Sequence, residues 1–291
     1  MSRQDKSDGG KQSGRQGGNK KKYSGRQGGN LLRGSYSRGN SPLSKNPVDK
    51  ADQLGKNEVR LNKFLAHSGI CSRRDADVYI AAGNVMVNGK VVTEMGYKVK
   101  ISDEVKFDGK SIKPEKPEYI LLNKPKGFIT TTSDEKGRST VMELVSNATN
   151  SRILPVGRLD RGTTGLLLFT NDGDLAKKLT HPKHGIRKIY HVVLDKKLSG
   201  SDLHKIANGL QLEDGEILVD DVSYIPNASK NEVGVKIHSG RNRIVRRIFE
   251  HLGYQVVSLD RVVFAGLTKK DLPRGTWRKL TAQEVINLKM L

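Results

Sequence analysis

The sequence predicts an α+β fold, with a small helix-helix-sheet module followed by a mixed, mostly antiparallel sheet that carries flanking helices. Three observations support this prediction. Residues 58–92 read as two short amphipathic helices and a hairpin, and from residue 117 onwards strand patterns outnumber helix patterns. Several neighbouring strands are joined by links too short for the helical crossovers that a doubly wound parallel sheet needs.

The composition points to a polyanionic partner. The chain has 291 residues, with 52 Lys and Arg against 31 Asp and Glu, which gives a formal net charge of +21. Such a charge favours nucleic acid or an acidic membrane surface. The sequence contains no apolar run long enough to span a membrane, and Cys71 is the only cysteine, which excludes a disulfide framework. We therefore expect a soluble cytoplasmic protein without a membrane partner.

Residues 1–57 form a basic Gly/Ser-rich segment with 13 basic and four acidic residues. It contains an internal repeat, in which Ser13–Asn19 and Ser24–Asn30 have the same sequence. With so few apolar side chains, this segment is predicted to be disordered. It is interpreted either as an electrostatic arm that contacts phosphate backbones or as a solubilising tail.

The first folded module is predicted over residues 58–116, including a linker. Glu58–His67 places apolar residues at helical spacing, and Ser68-Gly69 ends the helix. A second helix over Ser72–Ala82 begins at an N-capping serine, and Val85–Val92 surrounds an Asn-Gly hairpin turn. Cys71 is expected to be a small buried residue rather than a nucleophile.

This module resembles the S-four-type RNA-binding domain. The resemblance rests on Arg60-Leu-Asn-Lys-Phe-Leu, Ser72-Arg-Arg and Val85-Met-Val-Asn-Gly-Lys-Val. In that family, basic residues of the two helices contact RNA phosphates. The resemblance implies this role for Arg60, Lys63, Arg73 and Arg74, and the alternative is a solvated basic face.

The second domain is predicted over residues 117–291. A strand at 118–124 opens it, and helices are expected at Val141–Val145, Asp174–Thr180, Ser201–Asn208 and Arg243–Leu252. Further strands are expected at Phe128–Thr132, Gly165–Thr170, Ile189–Leu194, Ile217–Tyr224, Gly234–His238 and Gln255–Arg261.

Residues 153–173 carry the most informative pattern. Asp160 lies between Arg158 and Arg161 in a glycine-punctuated loop that leads into an apolar strand. Nearby cations keep a carboxylate ionised, as a carboxylate nucleophile requires. From spacing alone, a structural salt bridge explains Asp160 better than a nucleophile does. The glycines lack the G-K-[ST] ending of a phosphate-binding loop.

Four ordered motifs resemble those of the RsuA-like family of ribosomal RNA pseudouridine synthases. The motifs lie at Asn123–Gly127 with Gly137–Val141, Gly157–Gly173, Arg187–Tyr190 and Gly240–Phe249. Together with the leading module, the resemblance covers residues 58–291. The last motif is closest to the RluB branch, which modifies large-subunit RNA.

The resemblance implies roles for four residues. Asp160 matches the family's nucleophile, and Tyr190 matches a tyrosine that stacks on the target uracil and is implicated in removing the carbon-5 proton. Arg246 matches the basic residue that pairs with the aspartate, and Arg158 matches an arginine that holds the base outside the RNA stack. Without the resemblance, Tyr190 reads as a core aromatic and Arg246 as a solvated helix cation.

The implied reaction is the isomerisation of uridine to pseudouridine in ribosomal RNA, which involves no redox change and no group donor. We therefore expect no cofactor and no metal; His181 and His184 have no carboxylate or thiol at ligand spacing. The expected partner is large-subunit ribosomal RNA or a ribosome-assembly intermediate, and the expected state is a monomer. The alternative function is a non-catalytic RNA-binding assembly factor with the same fold.

Overall fold

A computed structural model describes residues 58–291, so the basic segment at 1–57 lies outside the described residues. The first module contains two helices packed on short strands. In chain order its elements are β1 (Glu58–Arg60), α1 (Leu61–His67), α2 (Arg73–Ala81), β2 (Val85–Val87), β3 (Lys90–Val91), β4 (Lys98–Lys100), β5 (Val105–Phe107) and β6 (Lys110–Ile112).

Local sequence explains most of this module. The Ser72 side chain accepts a hydrogen bond from the Asp75 amide, and the Asp75 carboxylate accepts one from the Ser72 amide, so a capping box starts α2. Asn88 and Gly89 both have positive φ, as a tight hairpin turn between β2 and β3 requires. Cys71 is buried, which raises the pKa of its thiol. The predicted hairpin and second helix are confirmed.

The first predicted helix begins later than expected. Glu58–Arg60 is a strand that pairs with Lys98–Lys100, and only Leu61–His67 is helical. The apolar spacing that predicted the helix comes from Leu61, Phe64 and Leu65, all buried, and none of these precedes residue 61. A strand partner distant in sequence therefore decides the conformation of the preceding three residues.

The second domain is built on one large sheet. Its path is β13 (Asp221–Tyr224), β14 (Glu232–Ile237), β10 (Lys188–Leu194), β15 (Val256–Phe264), β9 (Thr164–Thr170), β7 (Tyr119–Lys124) and β17 (Trp277–Lys279), while β8 (Leu154–Pro155) pairs with β9 and β16 (Leu267–Thr268) with β15. All pairs are antiparallel except β9 with β15. A separate hairpin joins β11 (Leu210–Leu212) to β12 (Gly215–Ile217). The predicted mixed, mostly antiparallel architecture is confirmed.

Four helices flank this sheet: α3 (Gly173–Thr180), α4 (Gly200–Asn208), α5 (Ile244–His251) and α6 (Ala282–Met290). Side chains of α4 and α5 join β10, β14 and β15 in one apolar core, and those of α3 and α6 join β7 and β9 in another. The opposite face of β7 and β9 packs on residues 141–159. Because these two strands are covered on both faces, each contains a continuous apolar run, at Tyr119–Leu122 and Leu166–Phe169.

Three predicted elements of this domain are wrong. Phe128–Thr132 is not a strand, and only Ile129 forms a bridge, with Thr140. The helix predicted over Val141–Val145 is a 3-10 turn at Glu143–Val145. The strand predicted over Ile217–Tyr224 is divided, because its first part pairs within the β11–β12 hairpin and its second part with β14. In addition, β17 and α6 were not predicted.

Gly165 allows the parallel contact between β9 and β15. It has φ +105°, and a Cβ at this position would lie 2.3 Å from the Arg261 carbonyl oxygen and 2.5 Å from the Arg261 amide nitrogen. Both atoms are backbone, so neither can move without displacing β15. The close approach of the two strands therefore requires glycine here.

Asp260, beside this contact, holds several segments together. Its carboxylate accepts a hydrogen bond from Thr164 at 2.9 Å and two from Arg274 at 3.0 Å, and it also pairs with Lys269. Burial raises the pKa of Asp260, but these hydrogen bonds outweigh burial and lower it to about 2. Asp260 is therefore ionised in the folded protein at neutral pH.

We predict that Gly165→Ala lowers the free energy of unfolding by about 3 kcal/mol or more, because the new methyl group meets backbone atoms and φ is unfavourable. Gly266→Ala is the matched control: Gly266 also has positive φ, at +83°, but no atom lies within 4 Å of the place that a Cβ would occupy there. The control should cost only about 1–2 kcal/mol. Equal losses in urea unfolding would contradict the steric explanation.

We also predict an acid-dependent loss of stability at Asp260. Because folding lowers its pKa from 3.8 to about 2, its contribution is present above about pH 4 and is lost as the pH falls towards 2. The loss amounts to about 2 kcal/mol. Urea unfolding between pH 6 and pH 2 should show a shallower decline for Asp260→Asn than for wild type. Asp221→Asn, which changes an exposed carboxylate on β13, should follow the wild-type curve.

Candidate active site

A pocket of about 180 Å³ opens beside β10 and β15, between the loop at 157–163 and the loop at 239–243. Asp160 and Tyr190 both line it, although they come from distant parts of the chain. Its other lining residues include Gly157, Arg158, Leu159, Thr163, Lys188, Ser239, Gly240, Arg241, Arg243, Val245, Leu259, Arg261 and Phe264.

Lys124, at the end of β7, binds the backbone of the loop at 157–163, which carries Asp160. The Lys124 side chain is fully buried, and its ammonium donates to the carbonyl oxygens of Thr163 at 2.9 Å and Asp160 at 3.2 Å. It also donates to the carbonyl oxygens of Pro125 and Arg161. Burial lowers the pKa of Lys124 to about 8, against the opposing effect of Asp160. Four carbonyl groups of two loops therefore share one cation.

Residues 127–130 bind the same loop through further hydrogen bonds. Thr130 Oγ1 donates to the Leu159 carbonyl oxygen at 2.7 Å and accepts from the Leu159 amide at 3.2 Å. The Gly127 amide donates to the Arg161 carbonyl oxygen, and the Arg161 side chain returns a hydrogen bond to the Gly127 carbonyl oxygen. These contacts bind the chain at Gly127 and Thr130 to the loop, where the sequence had predicted a strand over Phe128–Thr132.

The cations nearest the Asp160 carboxylate are not its sequence neighbours. Arg243 Nη1 lies 3.6 Å and Arg246 Nε 4.0 Å from Asp160 Oδ2. The Asp160 side chain is 39% exposed, so its carboxylate faces the pocket rather than a closed ion pair. Arg158 and Arg161, which the sequence placed beside it, are exposed.

Arg246 lies in α5 and is held by the neighbouring strand. Its Nη1 donates to the Val256 carbonyl oxygen at 2.9 Å. Its buried Nε has no hydrogen-bond partner among residues 58–291 and lies on the side of Asp160. Burial and the nearby Arg243 lower the pKa of Arg246, against Asp160 and Glu250. The interpretation of Arg246 as a solvated helix cation is therefore wrong.

Tyr190 is the third residue of β10 and is half-buried. It is directly opposite Arg261 on β15, so the two side chains project on the same face of the sheet. Arg261 is buried over the Phe264 ring, and its Nε donates to the Leu166 carbonyl oxygen at 2.8 Å. Burial lowers the pKa of Arg261, and Tyr190 opposes this effect. A buried cation therefore adjoins the tyrosine.

A groove of about 460 Å³ continues from the pocket between its two loops. Arg158 lines both the pocket and the groove, and Arg161, Arg241 and Arg243 line the groove. All four arginines are exposed. This positive lining suits a phosphate backbone that runs past the pocket.

The four candidate RNA-binding residues of the first module are not among those that line the pocket. Arg60, Arg73 and Arg74 are exposed, and Arg73 contacts the Asn62 side-chain oxygen at 3.5 Å. Lys63 differs from them, because its ammonium binds the Asp174 carboxylate of α3 at 2.7 Å. Lys63 therefore connects the first module to the second domain.

Sequence reasoning missed several residues that shape the pocket. Lys124, Thr130, Lys188, Arg243 and Arg261 were assigned no role. Lys124 and Arg243 lie inside motifs that the sequence had already singled out, but no spacing rule indicates where their side chains project. Within residues 58–291 there is no group of three His, Cys, Asp or Glu side chains that could hold a metal ion. His181 and His184 pack edge to face, with ring centroids 6.1 Å apart.

None of the helices in the described part of the chain is long and apolar enough to cross a membrane.

Comparison with known proteins shows the family. Residues 118–251 match the model of the RNA pseudouridylate synthase family, and residues 59–105 match that of the S4 domain. The chain is 43% identical to ribosomal large subunit pseudouridine synthase B of Bacillus subtilis over 80% of this chain and 96% of the relative. It is 37% identical to dual-specificity RNA pseudouridine synthase RluF of Escherichia coli over 81% of this chain and 80% of the relative.

A solved structure agrees with these relatives. A crystal structure of a pseudouridylate synthase superimposes with a TM-score of 0.57 at 29% identity, over 79% of this chain and 99% of that chain. The predicted resemblances to a pseudouridine synthase and to an S4 domain are confirmed. With an S4 domain preceding its catalytic sheet, the chain belongs to the RNA pseudouridylate synthase family.

Proposed function

We propose that this RNA pseudouridine synthase isomerises specific uridines of ribosomal RNA, with large-subunit RNA as its substrate and Asp160 as its nucleophile. The observation that carries the proposal is that Asp160 and Tyr190 line one pocket beside an arginine-lined groove, with Arg246 Nε 4.0 Å from the Asp160 carboxylate. A pocket of this kind suits a single nucleotide that has been flipped out of an RNA chain held in the groove.

The chemistry requires few groups. The bond between ribose carbon-1′ and ring nitrogen-1 breaks, a new bond forms from carbon-1′ to carbon-5, and the carbon-5 proton leaves while nitrogen-1 gains one. A carboxylate can act by attacking either the sugar or carbon-6 of the base. Asp160 is suited to this role because its carboxylate faces the pocket, with the Arg243 and Arg246 guanidinium groups 3.6 and 4.0 Å away.

Tyr190 and Arg158 complete the proposed site. Tyr190 is suited to stack on the flipped uracil and to accept the carbon-5 proton, since it lines the same pocket as Asp160. Arg158 lies where the pocket meets the groove, so it is suited to hold the base outside the stack. Flipping costs a few kcal/mol of stacking free energy, which phosphate contacts must offset.

The S4 domain is proposed to supply part of those contacts. Arg60, Arg73 and Arg74 are exposed on residues 58–116, and residues 117–291 carry the chemistry. Lys63 is proposed to contribute positive charge beside them, although it also binds Asp174. The identity with the Bacillus relative, whose name specifies the large ribosomal subunit, supports large-subunit RNA. The enzymatic relatives favour catalysis over a non-catalytic assembly factor.

The first prediction is that Asp160→Asn abolishes turnover, with a loss of about a thousandfold or more. The assay is tritium release from uridine labelled at carbon-5, with unmodified large-subunit and small-subunit transcripts offered separately. Asp271→Asn, which changes an exposed carboxylate away from the pocket, is the control and should keep full activity. Release by Asp160→Asn would contradict the nucleophile, and release from the small-subunit transcript alone would contradict the substrate.

The second prediction is that Tyr190→Phe retains RNA affinity but loses about a hundredfold or more in kcat, because the proton acceptor is removed while the ring remains. Filter binding measures affinity and tritium release measures kcat. Tyr224→Phe is the control, since Tyr224 lies on β13 and donates to the Leu198 carbonyl oxygen away from the pocket. Retained turnover in Tyr190→Phe would leave stacking as the only role of the ring.

A further inference from the structure

Lys188 lies at the start of β10, two residues before Tyr190, and it also lines the pocket. Its ammonium donates to the carbonyl oxygens of His238 at 2.9 Å and Ser239 at 3.2 Å. These two residues immediately follow β14, whose last residue, Ile237, is opposite Lys188. Lys188 therefore reaches past the end of the neighbouring strand and binds the chain as it leaves the sheet.

Those two carbonyl groups lie beyond the last paired residue of β14. One ammonium donates to both of them and so replaces the amide donors that strand pairing no longer provides. His238 is held on its other side as well, because its Nδ1 lies 2.6 Å from the Asp220 carboxylate. The residues that lead into the loop at 239–243 are thus bound through two backbone carbonyl groups and through the His238 side chain.

The same loop carries Arg243 to Asp160. Arg243 has φ +48° at the start of α5, and its side chain is 44% exposed. Its Nη1 lies 3.6 Å from the Asp160 carboxylate, which is longer than a hydrogen bond. Its Nη2 also donates to the Glu250 carboxylate of α5 at 3.3 Å, in an exposed contact. Arg246, by contrast, is anchored by the buried Val256 contact, in which its Nη1 donates to the carbonyl oxygen at 2.9 Å, and it lies on a helix whose apolar face is buried. Arg243 therefore depends on the loop for its position more than Arg246 does.

The charges around Lys188 make its two hydrogen bonds important. Burial and the nearby Arg261 lower the pKa of Lys188 to about 8, and Asp220 opposes them. An ammonium in such surroundings is costly unless hydrogen bonds compensate. The two carbonyl groups supply that compensation.

We propose that Lys188 is a positioning residue, which binds the loop at 239–243 through the His238 and Ser239 carbonyl groups and so places Arg243 beside the Asp160 carboxylate. This inference rests on the proposed function, in which Asp160 is the reacting carboxylate. Lys188 acts through Arg243 and is not required to touch the RNA.

The test compares Lys188→Met, Lys188→Arg and the control Lys236→Met by tritium release from the large-subunit transcript. Lys236 lies on β14 next to Ile237, so it projects on the opposite face of the sheet from Lys188. We expect Lys188→Met to lower kcat by about 10- to 100-fold with little change in KM, because a displaced catalytic group slows the reaction more than it weakens binding. Lys188→Arg should retain at least about half of the wild-type kcat, and Lys236→Met all of it.

Two further measurements separate positioning from other roles. Amide hydrogen exchange of residues 238–243 should become faster in Lys188→Met than in wild type. The double variant Lys188→Met/Arg243→Ala should be no slower than Arg243→Ala alone, because the tether has no effect once Arg243 is absent. If the methionine variant unfolds, Lys188→Gln takes its place in both measurements.

Unchanged kcat in Lys188→Met would overturn the proposal. It would also be overturned by a fall in kcat with unchanged loop exchange, or by losses that multiply with Arg243→Ala, because Lys188 would then act independently of the loop. Wild-type protein that releases no tritium from either transcript would contradict the proposed function instead. The exchange measurement would still show in that case whether Lys188 holds the loop.

Discussion

The geometry of the candidate active site depends on one buried cation. The Lys124 ammonium binds four carbonyl groups from two loops, including those of Asp160 and Thr163. A buried ammonium is costly, and only a chain that turns several carbonyl groups towards it can offset that cost. The loop therefore has little freedom to rearrange, and the Asp160 carboxylate is presented to the pocket while the backbone of the same residue is held behind it.

The parallel contact between β9 and β15 extends this constraint across the sheet. Gly165 allows the Asp160 loop, which leads directly into β9, to lie against β15, where Arg261 neighbours Tyr190. β15 in turn pairs with β10, and Lys188 of β10 binds the chain at the end of β14. The pocket thus forms where buried or half-buried cations border two strands, and each of those cations binds backbone carbonyl groups. Preorganisation of this kind places charge before the substrate arrives.

Much of the fold was predictable from local patterns. The Ser72 cap, the Asn88-Gly89 turn and the continuous apolar runs of β7 and β9 each have a short-range cause, and the structure contains the elements they predict. Two of the errors share another cause. Residues 58–60 and 128–132 take conformations that depend on partners far away in the chain, such as Lys98–Lys100 for β1 and Leu159 for Thr130. The intrinsic secondary-structure propensity of a residue contains no information about such partners.

The candidate site, like the fold, combines features that the sequence predicts with contacts that only the tertiary structure makes. By itself, the sequence determined the family, the order of the two domains and the residue types that surround Asp160, because ordered motifs and composition are properties of the linear chain. The resemblance implied that Arg246 pairs with Asp160, but only the tertiary structure showed that Arg243 lies closer to the carboxylate. Arg158 and Arg161 are close to Asp160 in sequence, yet Arg243 and Arg246 are the arginines within 4.0 Å of its carboxylate among the described residues. The physical reason is that sheet pairing and buried hydrogen bonds set these distances, and both join residues that are remote in sequence.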